Sequence, residues 1–323
     1  MRIHANDGIS KKAAQSLIDE GFNVTTDHVP QEELEAFLNK EKVDVLLVRS
    51  ATKVRKALID ACPTVRLIGR GGVGMDNIDV AYAREKGRTV INTPAASSSS
   101  VAELVIAHLF TLMRDLHKAN RKMPTEGAAG FAKLKKEYSK GTELRGKTLG
   151  IIGFGRIGRC TARYALGCGM RVIYVDRSST TEAIDVEMGG THVRVPVRLV
   201  EMEQLLAHAD AITIHIPAPA GNAPLIGEAE FDKMKNGVVI VNTARGGVID
   251  EDALLKAIES GKVRGAALDV FVGEPAPRTD LLENPAISLS PHIGGSTVEA
   301  QDRVGDELAE QIISWHSTAA VDK

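Results

Sequence analysis

One stretch constrains the fold more than any other: LGIIGFGRIGRCTARYALGCGMRVIYVDR, at 149–177. An apolar run reads as a strand and is followed at once by Gly153, Gly155 and Gly158 in G-x-G-x-x-G spacing. Arg156 and Ile157 lie inside that turn and open a helix, and a second apolar run ends in Asp176, eighteen residues after Gly158. Each glycine has a reason. The first allows a tight turn, the second lets backbone approach a pyrophosphate, and the third lets helix pack on strand. The helix N-terminus adds free N–H groups and the positive end of the peptide dipole. Asp176 is placed to accept hydrogen bonds from ribose hydroxyls and to repel a 2′-phosphate, which selects NAD over NADP. Arg177 beside it pulls the other way, because a guanidinium can meet that phosphate.

Short apolar runs alternate with amphipathic stretches through most of the chain. Strands are expected at 43–50, 65–72 and 88–94, and again at 147–155, 171–176, 209–217, 237–247, 265–271 and 286–292. Helices are expected at KVRKALIDAC and at DVAYAREKG, the latter closed by Gly87. Unbroken apolar strands separated by helices describe parallel sheets covered on both faces. With 323 residues the chain exceeds one ordinary core. The expected fold class is therefore α/β, with two doubly wound parallel-sheet domains. A Rossmann-type cofactor domain at 99–291 is inserted into a flavodoxin-like substrate domain built from 1–98 and 292–323. The serines at 97–100 precede the amphipathic run VAELVIAHLFTLMRDLHKAN. Ser100 with Glu103 fits a capping box, and a hinge is placed there. The basic stretch 133–141 reads as a solvated loop or weak helix.

The formal net charge is −2, which offers no electrostatic footing for nucleic acid. Cys62, Cys160 and Cys168 lack metal-type spacing and fit reduced thiols, so no metal is expected. No run of about twenty apolar residues suggests a membrane partner, and the N-terminus lacks a leader-like apolar segment. A cytoplasmic protein is expected.

Polar residues follow several apolar runs, where a parallel sheet gathers its ligands. VIVNTARGG delivers Thr243, Ala244 and Arg245; GAALDVFVGEP delivers Asp269 and Glu274; SLSPHIGG delivers His292, Gly294 and Gly295. Arginine offers a fixed pair of donors for a carboxylate or carbonyl oxygen. Histidine exchanges the proton of an alcohol near neutrality, and a neighbouring carboxylate orients it. Beside a nicotinamide, Arg245, Glu274 and His292 describe reversible oxidation of a hydroxyl to a carbonyl. Taken singly, each has a bland reading as a loop charge, a turn residue or a corner.

The chain resembles the D-isomer-specific 2-hydroxyacid dehydrogenases, and within them the phosphoglycerate-oxidising branch. The motifs VRSATKV, GRGGVGMDNIDV, GTELRGKTLGIIGFGRIGR, NTARGGVIDEDALLKAI, GAALDVFVGEP and SPHIGGST carry the likeness, in order, from about 45 to about 305. The resemblance implies NAD as cofactor, with Arg245 binding the substrate's carboxylate and carbonyl oxygen. It implies His292 as general acid–base and Glu274 as its partner. It sets the nicotinamide near Thr243, Asp269 and the His292–Gly295 loop, and the adenine side near Ile216 and Pro217. His215 reads as a packing or rim residue of that site. The substrate's carboxylate is expected on the backbone N–H groups of Gly72, Val73 and Gly74. A phosphate is expected near Arg49, Ser50, Lys53 and Arg70, so the partner is a phosphorylated 2-hydroxy acid.

Two departures stand out. AAGFAKLKKEYSK precedes GTEL where relatives often carry tryptophan and arginine, and NTPAASSSS lacks the asparagine or glycine common after NTP. A homodimer is implied, with 100–145 contributing arms. Two other readings stay open: a glyoxylate or hydroxypyruvate reductase using the same triad, and an NAD-sensing binding protein similar to the corepressors of this fold.

Overall fold

A computed structural model describes residues 1–217, 221 and 223–321. The chain divides into two compact units, Met1–Ser98 with Gly295–Lys323, and Ser99–Gly294. The division at the C-terminal side falls three residues after the expected 291/292 boundary. His292, Ile293 and Gly294 stay with the second unit because their partners, Glu274 and Asp269, belong to it.

The first unit holds β1 (Arg2–Ala5), α1 (Lys11–Asp19), β2 (Asn23–Thr25), α2 (Gln31–Lys40), β3 (Val45–Val48), α3 (Lys56–Ala61), β4 (Leu67–Arg70), α4 (Val80–Glu85) and β5 (Thr89–Asn92). Its parallel sheet runs β2-β1-β3-β4-β5. β3 is buried along its length, and its side chains alternate between two cores. Leu46 and Val48 join Leu34, Leu58 and Ile68 on one face; Val45 and Leu47 join Ile3, Leu17 and Ile312 on the other. Ile312 comes from the C-terminal helix Val298–Val321. Gly87 ends α4 as expected, with φ of 74° and its N–H on Arg84 O. β1 and β2 were not among the expected strands.

The second unit opens with α5 (Ser98–Met113) and α6 (Leu116–Glu137), where one amphipathic segment was expected. They part at Asp115, whose φ is 49° and whose carboxylate binds Lys118 and Arg264. Ser100 lies inside α5, so the expected capping box does not form; Glu103 instead accepts the Tyr164 hydroxyl. Of the stretch 133–141, expected as a solvated loop or weak helix, the part up to Glu137 is helical. α6 is broken at Gly130, whose φ of −116° and ψ of 17° are non-helical, and across the break Lys122 Nζ reaches Glu137 Oε1 at 2.7 Å. A straight helix would hold those positions roughly 22 Å apart.

The core of this unit is built on β6 (Thr148–Ile152), α7 (Arg156–Gly167), β7 (Arg171–Val175), β8 (Ala183–Met188), β9 (Thr191–Pro196), β10 (Arg198–Leu199), α8 (Met202–His208), β11 (Ala211–Ile214), α9 (Glu228–Lys233), β12 (Val238–Asn242), α10 (Glu251–Glu259), β13 (Val263–Leu268), α11 (Thr279–Glu283) and β14 (Ile287–Leu289). A seven-stranded parallel sheet runs β10-β7-β6-β11-β12-β13-β14. Its order reverses between β6 and β11, the switch point at which such sheets bind ligands. Between β7 and β10 the chain forms an antiparallel hairpin, β8 with β9, that the apolar pattern had not suggested. Ile184 and Val186 bury one face of it in the core that also holds Ala162 and Ala165 of α7. Among the described residues no helix is long and apolar enough to cross a membrane, and no cluster of His, Cys, Asp or Glu is placed to hold a metal ion.

Candidate active site

The glycine turn sits between β6 and α7, at the switch point. Gly153 has φ of 94°, and a Cβ there would lie 2.6 Å from His215 O. A Cβ on Gly158 would lie 2.2 Å from Gly153 O, so the turn closes on itself only without side chains. At Gly155 a Cβ would meet nothing within 4 Å, so the space before α7 is open. Gly155 caps α7 without any side-chain partner, leaving the first-turn N–H groups of Arg156, Ile157 and Gly158 for an anion.

Asp176 stands just past β7. Its Oδ2 accepts Phe154 N–H at 2.6 Å, and its Oδ1 accepts Ser178 N–H and Ser179 N–H, each at 2.8 Å. Burial alone would raise this carboxyl's pKa, but these donors outweigh it and hold it below the ordinary value. It is therefore an anion beside the turn. His215 follows β11 and is half-buried. Its Nε2 meets the hydroxyls of Thr213 at 3.1 Å and Thr161 at 3.3 Å. Burial pushes its pKa down to about 3, so it is neutral and no acid–base group near neutrality. Ile216 and Pro217 come next, half-buried and exposed respectively.

The carboxyl ends of three neighbouring strands carry the remaining candidates. After β12, Asn242 Oδ1 accepts Ala244 N–H and Asn242 Nδ2 donates to Arg245 O, which shapes the turn that presents Arg245. Arg245 Nη1 also donates to Ala244 O at 2.6 Å. The buried Thr243 Oγ1 has no hydrogen-bond partner among the described residues. After β13, Asp269 is buried, and Glu274 returns to accept Phe271 N–H on Oε1 at 2.9 Å. Gly246 lets these two turns meet, since a Cβ there would lie 2.1 Å from Phe271 O.

After β14, Ser290 Oγ donates to Asp269 Oδ1 at 2.6 Å. The same Oδ1 accepts Ile293 N–H, and Oδ2 accepts Gly294 N–H. Between them stands His292, with φ of 54°, a left-handed conformation uncommon for a residue with a side chain. Its Nδ1 lies 2.8 Å from Glu274 Oε2. The ring is half-exposed, so it is oriented yet accessible. Asp269, assigned from resemblance to the nicotinamide, spends its carboxylate on this loop.

The residues fit NAD. The turn has an uncapped helix end for the pyrophosphate, an anionic Asp176 at the next strand end, and an orphaned hydroxyl at Thr243.

The first unit places its candidates at the ends of β3 and β4. Asp7 accepts Arg49 N–H, Thr52 N–H and the Thr52 hydroxyl, and Asn77 Nδ2 donates to Arg49 O and Thr52 O. These clamps fix the loop that bears Arg49, Ser50 and Lys53. A cavity of about 220 Å³ lined by Asp7, Ser10, Arg49 and Gly71 opens where the order reverses between β1 and β3. Arg70 Nη1 donates to Gly71 O, laying its guanidinium against the Gly72 backbone. One expectation is corrected: Gly72 N–H is already given to Thr93 Oγ1 at 2.7 Å. Among the described residues Val73 and Gly74 N–H have no such acceptor.

The profile of the D-isomer specific 2-hydroxyacid dehydrogenase NAD binding domain matches residues 106–294. A hydroxypyruvate reductase of Thermotoga maritima is 43% identical across 96% of this chain and 97% of its own. A D-3-phosphoglycerate dehydrogenase of Archaeoglobus fulgidus is 38% identical across 97% of this chain, which spans 57% of that longer relative. The crystal structure of a glyoxylate reductase from Paecilomyes thermophila superposes with a TM-score of 0.81 at 31% identity, covering 97% of this chain and 94% of that one. The chain belongs to the D-isomer-specific 2-hydroxyacid dehydrogenases, NAD-dependent oxidoreductases whose cofactor domain is its second unit.

Proposed function

We propose that the chain interconverts D-3-phosphoglycerate and 3-phosphohydroxypyruvate, the entry step of a phosphorylated route to serine. The observation that supports this reading is that Arg49 directly follows β3, Arg70 closes β4 and Lys53 lies on the loop after β3, in the same unit as the Val73 and Gly74 amides. Two or three such cations give a phosphate strong charge-assisted bonds. His292 takes the C2 hydroxyl proton in oxidation and returns it in reduction. Glu274 stabilises the imidazolium that forms, and Arg245 binds the carboxylate and the oxygen that becomes the carbonyl. NAD, when bound, accepts or returns the hydride. Thr243, Ala244, Ile216, Pro217, Gly294 and Gly295 complete the cofactor's surroundings in this reading.

A second reading, reduction of unphosphorylated hydroxypyruvate or glyoxylate, is favoured by the full-length likeness to the Thermotoga hydroxypyruvate reductase. The two are separated by comparing rates with 3-phosphoglycerate, glycerate and glyoxylate, each with the matching cofactor redox state. A kcat/KM for the phosphorylated acid at least ten-fold above that for glycerate supports the first reading, and the reverse order supports the second. A homodimer is part of this proposal. Phe110, Leu116, Met123 and Phe131 are large apolar side chains left exposed on α5 and α6, which a second copy would cover. Sedimentation that gives a monomer at micromolar concentration contradicts it.

A further inference from the structure

His108 lies on α5, far in sequence from every residue assigned a role above, yet it is buried against the strand that leads to His292. Its Nδ1 is 3.0 Å from Ser288 Oγ and its Nε2 is 3.1 Å from Ser290 Oγ. All three side chains are more than nine-tenths buried, as is Asp269. The direction of each hydrogen bond follows from proton counting. Asp269 Oδ1 is a carboxylate oxygen and only accepts, so the single hydroxyl proton of Ser290 points to it. Ser290 Oγ must then accept from His108, which puts the ring proton on Nε2. His108 Nδ1 is left as a lone pair and takes the Ser288 hydroxyl proton. Burial lowers the pKa of this imidazole, in keeping with a neutral ring that has one donor and one acceptor.

We propose that His108 is a positioning residue for the catalytic loop. It holds the Ser290 hydroxyl as a donor to Asp269, and Asp269 holds the two amides that follow His292. The chain Ser288–His108–Ser290–Asp269 thus anchors a left-handed histidine to a helix outside the strand ends. Side chains in low-dielectric surroundings hold such a network rigidly only when every member is satisfied, and here each one is. The inference rests on the reading of His292 as the acid–base group, and it names what keeps that ring in register with Glu274.

The test uses the full chain with NADH and hydroxypyruvate or 3-phosphohydroxypyruvate, whichever turns over faster. His108→Leu keeps the volume and removes both hydrogen bonds; His108→Gln keeps one donor and one acceptor; Ser290→Ala cuts the chain one link later. Expected is a fall in kcat of about ten-fold in His108→Leu and Ser290→Ala, because a displacement well under 1 Å misaligns the proton transfer. KM for NADH should stay within about three-fold, and His108→Gln should recover kcat to within about three-fold of wild type. His292→Ala is measured alongside. If it loses turnover while His108→Leu and Ser290→Ala keep wild-type kcat, the positioning role is refuted and the active-site reading stands. If His292→Ala itself turns over normally, the active-site reading fails and takes this one with it. Should His108→Leu not fold, Ser290→Ala and His108→Gln decide by the same kcat comparison.

Discussion

Glu274 holds His292 with one carboxylate oxygen while its other oxygen is tied to the backbone. Oε1 accepts Phe271 N–H at 2.9 Å, and Oε2 meets His292 Nδ1 at 2.8 Å. The carboxylate is therefore fixed before it meets the ring, and it presents the imidazole with Nε2 outward. That is the geometry an acid–base histidine needs, because the carboxylate sets the tautomer and stabilises the charged ring.

His292→Ala should lower kcat by about 10²- to 10⁴-fold, the usual contribution of a general acid–base group. The dissociation constant for NAD should move by less than about three-fold, since the glycine turn lies elsewhere on the sheet. Fluorescence titration of NADH beside steady-state rates checks both. Equal losses in kcat and cofactor affinity would make His292 structural.

Asp176→Ala should narrow the preference for NAD over NADP by about ten-fold or more, measured as the ratio of kcat/KM values. The same change removes the acceptor of Phe154 N–H and of the Ser178 and Ser179 amides, so some loss of thermal stability accompanies it. An unchanged cofactor ratio would refute the ribose role, whatever happens to stability.

Neutralising Arg49 or Arg70, as Arg49→Gln or Arg70→Gln, should hurt a phosphorylated substrate about ten-fold more than its unphosphorylated counterpart. Equal effects on 3-phosphoglycerate and glycerate would mean that these side chains serve the carboxylate or the loop alone.

His215 carries the clearest dependence on acid. Its folded pKa is pushed down to about 3 by burial, while an unfolded histidine titrates near 6.5. Below pH 6.5 the unfolded chain binds a proton that the folded chain refuses, so stability is lost as pH falls from about 6.5 towards about 3. The slope is at most about 1.4 kcal/mol per pH unit for this one group. His215→Gln should flatten urea midpoints across that window; parallel curves for variant and wild type would contradict it.

Much of this is legible in the sequence alone. The G-x-G-x-x-G turn names its own conformation, because Gly153 and Gly158 sit where a Cβ would strike backbone. Arg245, Glu274 and His292 follow apolar runs, and a parallel sheet sends such residues to one edge. What stayed hidden had no such signal. The β8–β9 hairpin turns on Gly189 and Gly190, both with positive φ, and its strands alternate apolar with polar residues rather than forming a continuous apolar run. Asp115 broke an amphipathic segment through backbone conformation and pairing rather than through glycine or proline. Gly72 N–H was assigned to a substrate, but the hydroxyl of Thr93 on the next strand's end takes it. Contacts between residues distant in sequence, such as His108 with Ser288 and Ser290, exist only once the chain is folded.

In the proposed reaction His292 moves the proton while hydride passes between bound NAD and a D-2-hydroxy acid. The most direct measurement is the absorbance of NADH, followed in both directions, in wild type and in His292→Ala. NADH should form from NAD with D-3-phosphoglycerate or D-glycerate, be consumed with the matching 2-oxo acid and not form with the L-enantiomers, and in the variant these signals should be lost. Tight NAD binding with no turnover of any 2-hydroxy or 2-oxo acid in either direction would contradict it.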